Sequence, residues 1–339
     1  MDRNWDRNWD RYRLPLLLGL AHAVSDGAAG WLLGDLAHGM PLAQLGILVL
    51  IYNVLAFGAQ PLAGLLADRW QRPRLAAATG LGCMVAALLA APFDAWAAVV
   101  LAGTGSALFH VGGGGLALCV TPQQASGPGL FAAPGVIGLA LGGAAAVAGV
   151  PARPALALAL LALAGIVARH ALPPLPYAAR QPEAQHTLET HDWIMMALLA
   201  AIALRSAVWS AFQYVQDGQT EVLVGLALAA ALGKVAGGFL ADRFGWRRWT
   251  LAALLAAIPL LALGSRTPAW LYLGVALLQS ATPAMVAMLA ASLPRLPATA
   301  AGLAFGLAIA LGGLPALAGA APFLAAPPGL ILLILLAVG

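Results

Sequence analysis

The chain has 339 residues, of which 62% are hydrophobic and only 9% charged, with a formal net charge of +4. Soluble domains carry about a quarter charged residues, so this composition excludes a water-soluble fold and places most of the chain in lipid. The basic residues sit in short loops rather than along one face, which argues against nucleic-acid binding.

Residues 1–13, MDRNWDRNWDRYR, form a short direct repeat. They read as a cytoplasmic or interfacial segment, with Trp5, Trp9 and Tyr12 at headgroup level and arginines turned to anionic lipid. A long apolar stretch follows without a small-residue cleavage signal, so a retained first span is expected. Breaks at Gly, Pro and charged clusters then define twelve apolar segments, each about the length that crosses a bilayer. The expected spans are 14–37, 42–67, 74–92, 95–120, 128–149, 154–170, 192–215, 219–241, 248–264, 268–292, 298–319 and 323–338. Residues 171–191 are polar and proline-rich and read as a cytoplasmic linker between two six-helix bundles, 14–170 and 192–339. The last segment ends at Gly339, as either a minimal final span or an early stop. Cys83 and Cys119 lie in apolar runs and read as packing residues.

With the amino terminus inside, Arg3, Arg7, Arg11, Arg13, Arg69, Arg72, Arg74, Arg169, Arg180, Arg243, Arg247, Arg248 and Arg295 are cytoplasmic. Only Arg153 and Arg266 fall outside, the split that the positive-inside bias predicts.

One pattern occurs twice. PLAGLLADRWQRPRL (61–75) and VAGGFLADRFGWRRW (235–249) align at an offset of 174, sharing Gly64/Gly238, Leu66/Leu240, Ala67/Ala241, Asp68/Asp242, Arg69/Arg243 and Arg74/Arg248. The G-x-L-A-D-R pattern with basic residues after it resembles the loop between the second and third spans of the major facilitator superfamily, which carries a second copy half a chain later. The resemblance implies an all-α membrane protein of the major facilitator fold, with 12 transmembrane helices in two pseudo-symmetric six-helix bundles. It also implies that spans one, four, seven and ten line a central cavity, and that the two loops are cytoplasmic gating elements. A carboxylate at a helix end, followed by arginines, can latch one helix to its neighbour until the inner gate opens.

Polar residues at membrane depth carry the functional signal, because such groups are normally paired or face a wet cavity. His22 and Asp26 in span one are four apart and share a helical face, and His110 in span four falls at the same depth. Arg205 lies at that depth in span seven, on a stripe continued by Trp209, Phe212, Gln213 and Gln216. Span two adds Asn53, Phe57 and Gln60; span ten adds Gln279 and Thr282. Duller readings stand beside these. His110 precedes a glycine run and either lines the cavity or only bonds a neighbouring backbone. Lys234, aligned with Gln60, either snorkels to the inner surface or belongs to the interior. Arg205 either binds an anionic substrate or pairs with Asp26. His22, Asp26 and His110 also have the ligand types of a metal site, a reading that the fixed charge of Arg205 disfavours.

LGLAHAVSDGAAGWLL and GTGSALFHVGGG resemble fosmidomycin-resistance-type facilitators, with Val111 where that branch has proline. GLFAAPGVIGLALGG, with Gly129, Pro134, Gly138 and Gly142, resembles the glycine-proline element of drug/proton antiporters, with Ala133 in place of a glycine. The function expected is therefore proton-coupled efflux of a small organic molecule from a bacterium across the cytoplasmic membrane. Asp26, His22 and His110 are expected to handle protons; Arg205, Trp209, Gln213, Asn53, Phe57 and Gln279 to contact substrate. Import of an organic anion by symport or uniport is the alternative, and a metal or metal-chelate exporter or a non-transporting scaffold stand further back. No HExxH, G-x-S-x-G or phosphate-binding loop is present, so neither an enzyme nor a cofactor is expected. The partners expected are substrate, protons and the lipid bilayer, with the chain acting as a monomer.

Overall fold

The computed structural model describes residues 3–172, 190–216, 218–264 and 267–338, with side chains from Arg11 onward except those of 190 and 191. The side chains of Trp5 and Trp9, most of the expected linker (173–189), Arg266 and Gly339 lie outside the described residues.

The helices are α1 (Arg3–Ala37), α2 (Leu42–Arg69), α3 (Pro73–Ala90), α4 (Ala95–Val120), α5 (Ser126–Val147) and α6 (Arg153–Arg169), followed by α7 (Thr190–Val215), α8 (Thr220–Phe244), α9 (Trp246–Ala262), α10 (Pro268–Ala291), α11 (Pro297–Ala325, kinked at Gly319 where φ is 83°) and α12 (Pro327–Val338). Among the described residues nine of these are long and apolar enough to cross a membrane, α6, α9 and α12 being the shorter ones. The expected span edges shift by a few residues. The largest change is at the amino terminus, where the interfacial segment is helical from Arg3 and runs straight into the first span. Pro15 sits at that junction, inside the helix.

Local chemistry sets the helix ends. Asp94 caps α4 by accepting from the N–H groups of Trp96 (2.9 Å) and Ala97 (3.2 Å). Proline occupies the first turn of α3, α6, α10 and α11, where its missing N–H has no intrahelical partner to lose. α2 and α11 each contain a π-helical turn, Val54–Gly58 and Gly302–Leu307, and these two turns pack on each other.

Packing divides the helices into two groups. α1 lies along α5, and α3 packs on α4 and α6; in the second group α7 lies on α11, and α10 packs on α8 and α9. The groups meet through α5 on α8, and through α2 and α4 on α11.

Small residues make this possible without water to drive association, since backbones can then approach closely. A Cβ on Gly138 would strike the carbonyl of Ala23, and one on Gly142 the carbonyl of Gly27. The glycine run of α4 serves several neighbours at once: Gly112 faces Ala77 of α3, Gly113 faces Phe131 of α5, and Gly114 and Gly115 face Ala301 and Ala298 of α11. Val111, fully buried, leaves α4 continuous across the position where the resembled branch has proline.

The repeated loops have repeated structures. Gln71 and Gly245, which align at the same offset of 174, both take positive φ, 56° and 94°. Asp68 Oδ1 accepts from the N–H of Ala298 (3.1 Å), while its Oδ2 accepts from the N–H (2.7 Å) and hydroxyl (2.8 Å) of Thr299. In the mirrored arrangement Asp242 Oδ1 accepts from the N–H of Ala125 (2.6 Å) and its Oδ2 from that of Ser126 (3.0 Å). Each carboxylate thus caps the first turn of a helix in the opposite group, where the helix dipole favours negative charge.

Candidate functional site

α1 and α5 approach closely enough to lay the His22 ring over Gly135, at a place where any Cβ would collide with the imidazole. The His22 Nδ1–H donates to the carbonyl of Phe131 (2.9 Å), and the two rings stack with centroids 4.6 Å apart. On α4, the His110 Nδ1–H donates to the Ser106 carbonyl (2.8 Å), with the Ser106 hydroxyl at 3.3 Å. These bonds fix the tautomers, because a carbonyl oxygen can only accept.

Both Nε2 atoms therefore present lone pairs to the same point. His22 Nε2 lies 2.9 Å from His110 Nε2 and 3.1 Å from Asp26 Oδ2, and His110 Nε2 lies 3.8 Å from Asp26 Oδ1. Two imidazole lone pairs and a carboxylate repel one another at such distances. A single proton shared among them turns that repulsion into hydrogen bonding and brings the cluster to neutrality. The arrangement is thus a receptor for one positive charge. Asp26 is its most accessible member, its side chain 16% exposed against 6% and 7% for the histidines. Tyr52 of α2 lies near Ser106 and in the field of Asp26. Phe109, Phe131 and Phe305 close the side toward the basic loops, with Phe131 of α5 meeting Phe305 of α11 at 5.7 Å.

The three groups are also a possible metal-ligand set, with ligand atoms within 4.8 Å of one another. Lys234 lies within electrostatic reach of Asp26 and His110, and also of Arg205, which disfavours a dication there.

In the second group Arg205 is buried and does not pair with Asp26. It donates from Nη1 to Gln279 Oε1 (3.0 Å) and from Nη2 to Ser206 Oγ (2.9 Å). Its Nε–H has no partner among the described residues. Gln279 Oε1 accepts in addition from the Thr282 hydroxyl (3.2 Å). A charge at membrane depth costs about 2.5–3.5 kcal/mol on insertion scales, and among the described residues only neutral dipoles offset it.

The remaining expected contacts are dispersed. Trp209 packs partly buried against the core and Gln213 is half-buried further along α7. Asn53 is turned back on its own helix, its Nδ2 donating to the Val49 carbonyl (2.7 Å). Phe57 lies in the π-turn of α2, its carbonyl against Gly306 of α11. Of the loop residues, Gly64 and Gly238 abut the backbones that Asp68 and Asp242 cap. Arg74 donates to the carbonyl of His170 (3.0 Å), Arg243 lies over the Phe244 ring, and Arg69 and Arg248 are exposed.

Sequence reasoning passed over Gly135, Phe131, Ser106, Tyr52 and Ser206, and left Lys234 undecided. Ser106 and Ser206 were findable, lying respectively four residues before His110 and next to Arg205.

No protein family model matches the sequence, and no curated protein matches it. Solved structures do. A variant of the E. coli fucose:proton symporter FucP superposes with a TM-score of 0.72 at 15% identity, over 96% of this chain and 95% of that one. FucP in the outward conformation gives 0.69 at 15% identity, covering 96% and 95%. The human organic anion transporter MFSD10 (TETRAN) gives 0.67 at 18% identity, covering 96% and 99%. The chain is a multi-pass membrane protein with the fold of the major facilitator superfamily.

Proposed function

We propose that this chain is a secondary active transporter that moves a small organic molecule by alternating access and couples that movement to protons. Two bundles, 14–170 and 192–339, each crossing the membrane six times, rock about the central groups. The chain works as a monomer in the cytoplasmic membrane with its amino terminus inside, so the Asp68 and Asp242 caps form the inner gate.

One observation carries the reading. Both histidines are held by carbonyls in the tautomer that aims Nε2 at Asp26, leaving a site that is complete only with one added proton. Export by antiport is the direction that the spans resembling drug/proton antiporters support. Import by symport is supported by the likeness to a protein titled a fucose:proton symporter.

Proteoliposomes containing a trapped pH dye test the reading without an imposed gradient. Solutes are added outside one at a time. A carried solute is expected to acidify the lumen under symport and alkalinise it under antiport, and Asp26→Asn is expected to remove the pH change. A carried solute that moves no protons would end the coupling proposal, and an unchanged signal in Asp26→Asn would take Asp26 out of it.

A further inference from the structure

The geometry points to a small organic anion as the cargo, its carboxylate held by Arg205 and Gln279. This deepens the transporter reading above and rests on it.

Arg205 is 3% exposed, yet both acceptors it meets are neutral, Gln279 Oε1 and Ser206 Oγ. Among the described residues no carboxylate lies within ion-pair distance of it, and its buried Nε–H is unpartnered. A guanidinium holds its charge at every physiological pH. Lys234 of α8 lies within electrostatic reach of Arg205 and has neither a hydrogen bond nor an ion pair among the described residues. Asp26 is engaged by His22 and His110 rather than by Arg205. The Arg205 charge is therefore left without a counter-ion among the described residues.

Hydrogen-bond capacity gives the same answer. Gln279 Oε1 accepts from both Arg205 and Thr282, which fixes the amide with its NH2 as the free end. The unused groups among the described residues are then the Arg205 Nε–H, the remaining guanidinium N–H groups and the Gln279 NH2. All are donors. A ligand that only accepts and carries negative charge satisfies every one of them, and a carboxylate fits the planar guanidinium fork. Neutral or cationic cargo leaves the charge uncompensated. Arg205 and Gln279 come from α7 and α10, whereas the proton site is built on α1 and α4. Proton and anion therefore occupy separate groups and can be bound together.

The test uses the full chain purified in detergent, with thermal unfolding read against acetate, benzoate and phenylphosphonate, and against benzamide and benzylamine as neutral and cationic counterparts. At least one of the anions is expected to raise Tm by about 2–4 °C, and benzamide and benzylamine to leave it unchanged. Arg205→Gln is expected to lose the anion response. Without additive it is expected to melt no lower than wild type, because a lone buried charge has been removed. No rise with any of the three anions, or an equal rise with benzamide, overturns the proposal, as does an anion response that survives in Arg205→Gln. Binding is read without a gradient, so these outcomes are independent of the solute-driven pH change that tests proton coupling. An anion-stabilised protein that moves no protons would keep the anion site and remove the coupling.

Discussion

His22 and His110 meet Nε2 to Nε2 at 2.9 Å, each ring fixed from behind by a backbone carbonyl. Neither ring can turn its N–H toward the other without breaking that bond, so the proton between them must be an added one. That added proton is then shared between the two rings and Asp26.

The first prediction follows from that sharing. A site completed by one added proton empties as protons become scarce, so solute-driven proton movement is expected to fade as pH rises. The groups facing the cluster are Lys234, Tyr52 and Ser106. Replacing both histidines with Gln leaves Asp26 alone and is expected to move the midpoint of this fade. An identical pH profile in the double variant would show that the histidines only pack.

Gly135 offers a steric test of the same site. In Gly135→Ala the new methyl meets the His22 ring and forces it off the Phe131 carbonyl. Overpacking of this kind costs about 1–3 kcal/mol, and proton coupling is expected to fall with it. The same change in a His22→Ala background is expected to be nearly neutral for stability. A double-mutant cycle of thermal unfolding measures the difference; simple additivity would mean that the ring and the glycine do not interact.

The two caps are expected to differ in weight. Asp68 is buried and takes three hydrogen bonds from α11, whereas Asp242 is exposed, shares an oxygen with the Trp246 indole N–H (3.0 Å) and holds only backbone N–H groups of the first bundle. Loss of a capping carboxylate costs about 0.5–2 kcal/mol, and Asp68→Ala belongs at the upper end. Cys119 is half-buried and within electrostatic reach of Asp68, so it reports on this end of the interface. In a Cys83→Ser background, its labelling by a maleimide is expected to speed up several-fold in Asp68→Ala and less in Asp242→Ala. Equal rates in all three proteins would show that the caps do not hold the gate.

The pair at the opposite end is expected to matter little. Arg153 donates to Asp35 at 2.8 Å and lies over the Trp31 ring, but both side chains are about a third exposed. Such pairs contribute roughly 0–1 kcal/mol. Asp35→Asn is accordingly expected to shift Tm by no more than about 2–4 °C and to leave solute-driven pH changes intact.

The amino-acid order alone determined the lipid-embedded, all-helical class, the internal duplication and the face shared by His22 and Asp26. Apolar runs of bilayer length, a repeat at a fixed offset and a spacing of four residues are all local or periodic properties. His110 bonds a backbone carbonyl through one ring nitrogen and meets His22 and Asp26 through the other. Arg205 turned to Gln279 and Ser206 and away from Asp26, because the imidazoles already occupied that carboxylate. Lys234 fell within reach of the central groups, where sequence depth had left snorkelling open. Asn53 bonded its own helix, which spacing on a helical face cannot reveal. What only the tertiary structure decided was which groups share a proton and which stay unpaired. That depends on how closely α1, α4 and α5 pack through their glycines, and contact distance between separate helices is not encoded in the periodicity of any one of them.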